Sequence, residues 1–167
     1  MRRILVGYDG TRAAERALRD AVVLAERDDS WLVVLTAVPL RVDRIGMLTT
    51  ASRAPAIAAV ATVLEGEAVE LQRRALDAVP GLEARTSAEV VWGTPCRTLA
   101  NRAVMDAADL VVIGESGETR AGRGLGWRLH RRTGIPVLRV RADGKAALIA
   151  SAPRTAGKGS VRPRWRA

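Results

Sequence analysis

The chain has 167 residues, 48% of them hydrophobic, with a mean hydropathy of +0.02. That suits one domain with a real core plus an appendage, and no apolar run nears the ~18–20 residues of a membrane span. The net charge of +9 is uneven: residues 1–114 sum to −1, residues 115–140 to +4 and residues 141–167 to +6. That near-neutral body argues against a nucleic-acid binder built on the fold itself, since such domains carry basic stripes there.

Residues 4–8 read as a short apolar strand ending in Gly7-Tyr8-Asp9-Gly10, with Thr11 placed to cap the next helix. Ala14, Ala17, Leu18, Ala21, Leu24 and Ala25 share one face of that helix. Residues 31–38 are a fully buried strand type. A polar connection follows, then a second helix predicted over about 55–78, stopped by Pro80-Gly81. Residues 85–91 interleave polar side chains, as an edge strand does. Thr94-Pro95 marks the cap and first position of a third helix running to about residue 108. Residues 110–113 are the most apolar strand of the chain. A glycine-rich loop, 114–126, feeds a short helix ending near Gly134, and residues 136–140 are the last strand. Residues 141–167, rich in Ala, Gly, Ser, Pro and Arg without a period, read as a disordered basic tail. The boundary of the α/β domain is set at residue 140.

Strand–helix alternation on this scale predicts an α/β, doubly wound parallel sheet of five strands with helices on both faces. Ligands of such sheets sit beyond the carboxyl ends of the strands, where the strand order reverses. The turn at Asp9-Gly10-Thr11 and the segment Gly114-Glu115-Ser116-Gly117 are expected to lie side by side there.

Five blocks in order carry a resemblance: residues 6–11 with their Ala-rich helix, Val38-Pro39, Trp92-Gly93-Thr94-Pro95, residues 108–114 and residues 136–140. Together they make residues 1–140 resemble the universal stress protein family. The resemblance implies strand order 3-2-1-4-5, commonly a homodimer, and in one branch ATP bound without a committed reaction. That branch carries G-x2-G-x9-G-[ST] after the fourth strand. Gly114 and Gly117 match; Gly126 follows after eight residues rather than nine, and Trp127 stands where the hydroxyl belongs. By this analogy Gly7, Tyr8, Asp9, Ala37 and Ile113 face the nucleoside, and Gly114, Gly117, Arg123 and Gly126 face the phosphates. Glycines let the backbone approach phosphate, and Arg123 adds charge where Glu115 and Glu118 oppose it.

Rival motifs in the same stretch fail on specific residues. Residues 117–124 nearly spell a P-loop but lack its lysine and the Ser/Thr that holds magnesium. Ser116 has the surroundings of a nucleophile elbow only superficially, the second glycine arriving one place early. The sole histidine, His130, near a helix end, reads as a solvated or capping residue, and the sole cysteine, Cys96, as an ordinary small residue after Pro95. One cysteine and one histidine also exclude a disulfide framework and a multi-cysteine or paired-histidine metal site. Five scattered aromatics exclude a base-stacking platform. The apolar stretch behind Met1-Arg2-Arg3 is too short for a signal-peptide core, so the expected address is the cytoplasm.

Three functions stay open on these residues: an ATP-binding stress protein, a ligand-free interaction module, and a slow ATPase or autophosphorylating protein. Two partner expectations accompany them. The tail should contact polyanions non-specifically. The last strand, left at a sheet edge, should pair with a second copy near Leu138 and Val140.

Overall fold

Apolar alternation places Ile4 and Val6 on one side of the first strand and Leu5 on the other. In the computed structural model, which describes residues 2–39, 50–115 and 124–150, this strand is β1, Arg3–Gly7. It is followed by α1 (Arg12–Arg27), β2 (Trp31–Val38), α2 (Thr50–Asp77), β3 (Thr86–Trp92) and α3 (Pro95–Met105). The chain continues through β4 (Leu110–Gly114), α4 (Leu125–Thr133), β5 (Val137–Val140) and β6 (Ala146–Ile149). The sheet order is β3-β2-β1-β4-β5-β6. The first five strands pair in parallel and contain the expected 3-2-1-4-5 arrangement.

Two cores result. Ile4, Val6, Leu32, Val34 and Val112 pack with Ala17, Leu18 and Ala21 of α1 and with Ala75 of α2. Leu5, Val33, Leu35, Val111 and Ile113 pack against Leu99 and Ala103 of α3 and Leu129 of α4. Central strands are buried on both faces, which is why they are continuous apolar runs. β3 is half-buried at the sheet edge, as its polar interleaving predicts.

The helix ends follow local chemistry, with one exception. Thr11 Oγ1 accepts the Ala14 N–H at 3.2 Å, capping α1. Thr94 makes no such side-chain bond; its carbonyl instead accepts the amide and the hydroxyl of Thr98, each at 3.0 Å. α4 ends at Gly134, left-handed at φ 72°, whose N–H donates to the His130 carbonyl. His130 is buried rather than solvated, and its Nδ1 donates to the Ile135 carbonyl at 2.8 Å. α2 begins at Thr50, five residues before the predicted start, and so contains Pro55.

The end of the sheet departs most from expectation. The sheet has six strands rather than five, because residues 141–150 are not a structureless start of a tail. Arg141 donates to the Lys145 carbonyl at 2.9 Å, Gly144 stands at φ +83°, and β6 returns antiparallel along β5. Asp143-Gly144 is a hairpin signal, and the Lys145 N–H donates to Asp143 Oδ1 at 3.1 Å. β5 is thus an interior strand with Val137 and Val140 fully buried, and the premise of a free edge there is removed. Residues 151–167 lie outside the described residues.

An exposed charge cluster on α2 yields a pH prediction. Glu70 accepts from Arg73 at 2.8 Å and from Arg74 at 2.9 Å, and these bonds hold its carboxyl down at about 2 instead of 4.5. A depressed carboxyl stabilises the fold above its ordinary range, and the contribution disappears as pH falls toward 2. Glu70→Gln should therefore flatten the fall in melting temperature between pH 4.5 and 2, as followed by circular dichroism. An unchanged slope would show that the cluster does not contribute.

Candidate functional site

Parallel register brings the candidate residues together at the carboxyl ends of the central strands. Gly7 lies beside Leu35 on one side and Ile113 on the other. Gly7, Tyr8, Asp9, Ala37, Ile113 and Gly114 all line one crevice, with Pro95, Leu99 and Leu125 completing its wall. Among the described residues it measures about 100 Å³. That is the floor for a flat ring, smaller than the ~300 Å³ or more that encloses a whole ligand. Gly126 sits one residue into α4, buried. Gly117 and Arg123 lie outside the described residues.

Several of these residues have structural duties that spacing alone does not disclose. A Cβ on Gly114 would fall onto the backbone of Ala14 and within 2.5 Å of the Ala13 carbonyl carbon. Glycine here lets the start of α1 close on the end of β4. Gly10, at φ +74°, lies under Leu71 of α2. Asp9 Oδ1 accepts from the Thr11 amide at 3.1 Å and its hydroxyl at 2.7 Å, so the carboxylate ties the turn. Tyr8 follows the strand's alternation, and its ring joins the α1/α2 core rather than the opposite layer. Burial, with the Glu15 carboxylate nearby, raises its phenol above the ordinary value. Trp127, where the motif wants a hydroxyl, lies tilted on His130 with ring centres 6.1 Å apart. Cys96 is half-buried against the α3/α4 core.

One charged pair escaped the sequence reading. Arg139 on β5 reaches over Gly126, and its Nη1 donates to Glu115 Oε2 at 2.8 Å. The Glu115 amide is itself held by the Val140 carbonyl at 2.9 Å. Nothing in the spacing connects residues 24 apart; the signal is tertiary, carried by the β4–β5 register.

A larger cavity of about 380 Å³ lies at the opposite end of the sheet. Ile4, Leu24, Leu110, Leu138 and Leu148 line it, where α1 leaves the face of β5 and β6 uncovered. It faces the amino ends of the parallel strands, away from the position where such sheets hold ligands.

Fold and crevice together define a doubly wound α/β protein with a crevice at the carboxyl ends of β1 and β4. The model of the universal stress protein family matches residues 1–141. The chain belongs to that family. No curated protein matches the sequence. Among solved structures, the universal stress protein UspA from Lactobacillus plantarum is similar at 23% identity and TM-score 0.68, covering 84% of this chain and 97% of that one. A universal stress protein in complex with cAMP is 27% identical, with TM-score 0.63 and 83% and 96% covered. An Arabidopsis thaliana family member with AMP bound shares the fold at 10% identity and TM-score 0.62, covering 84% and 92%.

Proposed function

We propose that this chain binds an adenine nucleotide, ATP in the first instance, at the carboxyl-end crevice and acts in stress response through occupancy rather than turnover. The observation that carries the reading is the convergence of Gly7, Asp9, Ala37, Ile113 and Gly114 on one cleft at the strand-order reversal. The cAMP complex of a 27%-identical relative supports the ligand class. Amide groups of the loop after β4 and of the start of α4 supply the phosphate end. The hydroxyl missing at Trp127 and the shortened loop remove donors, each worth about 1.5–3 kcal/mol when charge-assisted, or one to two decades of affinity. Binding is accordingly weaker than in relatives with the full motif.

Titration calorimetry with ATP and adenosine tests the reading. ATP should bind measurably and more tightly than adenosine, without hydrolysis on the same timescale. Asp9→Ala should weaken both ligands about tenfold and, by loosening the Gly10-Thr11 turn, lower stability by about 1 kcal/mol. Absence of ATP binding at millimolar ligand by the folded protein would leave the ligand-free interaction module.

A further inference from the structure

Glu115 and Arg139 adjoin the crevice through residues that line it: Glu115 follows Gly114, and Arg139 lies opposite Ile113 in the β4–β5 ladder and passes over Gly126 at the start of α4. The arrangement fits poorly with a purely stabilising ion pair. An arginine and a carboxylate satisfy each other best through two parallel bonds. Here one bond forms, and both Glu115 Oε1 and Arg139 Nε are buried with no partner among the described residues. Unpaired buried groups of this kind cost stability, and an apolar pair of the same volume would hold the layers together at least as well.

The room for Arg139 is itself built in. A Cβ at position 126 would lie 2.7 Å from its Cδ and 2.8 Å from its Cγ, so the third glycine of the motif clears a path for this side chain. The aliphatic stem of Arg139 thus passes the first turn of α4, which starts from Gly124, a cap with no side chain to offer its amides. The group that the guanidinium now holds is a carboxylate.

We propose that Arg139 is the anion-binding side chain of this crevice and that Glu115 is its resident competitor. Resting on the adenine-nucleotide reading above, the pair decides how much the phosphate groups contribute to binding. A phosphate entering the crevice takes the Arg139 guanidinium from Glu115, and the displacement lowers the affinity gained. The Glu115 and Arg139 side chains are 12% and 29% exposed, so the pair is largely shielded from bulk solvent without being sealed off.

The test uses the full chain with Glu115→Gln, Arg139→Met and the double variant, titrated calorimetrically with adenosine, ATP and sodium pyrophosphate. Glu115→Gln should bind ATP and pyrophosphate about ten- to hundredfold more tightly, with adenosine unchanged. The double variant, which leaves no lone carboxylate and keeps the aliphatic stem over Gly126, should lose pyrophosphate binding and the gain for ATP. If Glu115→Gln binds ATP no more tightly while wild type still binds adenosine and ATP, the competitor role falls and the nucleotide reading stands. If Glu115→Gln gains pyrophosphate but no variant binds adenosine, the anion site stands and the nucleotide reading falls. No binding of any of the three ligands by any folded variant overturns both.

Discussion

Gly114→Ala should destabilise the domain by about 3 kcal/mol, and Gly114→Val should leave it unfolded. The atoms that a new Cβ would meet are backbone atoms of Ala13 and Ala14 rather than the tip of a flexible side chain. Relief therefore requires α1 to withdraw from the sheet, and Ala14, Ala17 and Leu18 to leave the core they share with Val6 and Val112. For a chain of this size the alanine variant should lose about 6–12 °C in melting temperature. Thermal unfolding followed by far-UV circular dichroism measures the shift, and chemical denaturation measures the free energy. Gly66→Ala is the matched control: it lies within α2, nothing surrounds its Cβ position within 4 Å, and alanine should stabilise by about 0.5–1 kcal/mol. A Gly114→Ala protein within 1 kcal/mol of wild type would mean that the close approach of α1 and β4 is readily relaxed. The glycine would then have to be explained by ligand access alone.

Two truncations separate the hairpin from the residues after it. Removing 142–167 takes away β6 and should cost about 2 kcal/mol through lost ladder bonds and exposure of apolar surface at Ile149's partner Val137. It also opens β5 as an unpaired parallel-sheet edge, and such edges recruit a second copy. The truncated protein should sediment as a dimer at concentrations where its self-pairing is the cheapest cover for β5. Removing only 151–167 should leave the melting temperature within a degree or so of wild type. The same cut takes away Arg154, Lys158, Arg162, Arg164 and Arg166, and should abolish salt-sensitive retention on heparin. A fully stable, monomeric 1–141 fragment would show that β6 contributes nothing to the sheet. Retention on heparin by the 1–150 fragment would move polyanion contact onto the fold. Val140→Lys tests packing rather than assembly, since Val140 is fully buried in the α1 core.

Asp109 illustrates how a motif residue acquires its meaning. The apolar run that follows it marks a strand in any reading, but the carboxylate before it has no role in the pattern. In the fold, Asp109 Oδ2 accepts the Arg3 amide at 2.9 Å, and the Asp109 amide donates to the Arg3 carbonyl at 2.9 Å. The side chain starts β4 in register with β1, and that register sets Gly7 against Ile113 at the far end.

Most of the architecture was decided locally. Apolar runs of five to eight residues, such as 31–38, can only be buried strands when helices of one-sided character alternate with them. Thr11, with its short polar side chain, starts a helix wherever it stands before one. The glycine spacing after β4 marked the crevice, and the register of β1, β2 and β4 delivers Gly7, Asp9, Ala37 and Ile113 to it. The hairpin was legible in principle, since Asp143-Gly144 is a turn signal, but its surroundings share the composition of an unstructured tail. Pairing with β5 is what makes a strand of Ala146–Ile149, and pairing is a property of the partner. The roles of Gly114 and Gly126 and the joining of Glu115 to Arg139 were decided by tertiary structure alone. Spacing along a chain reports which residues share a strand or a helix face. Which atom of one element closes on which atom of another depends on sheet register and on how near a helix may pack, and those are settled only when the layers meet.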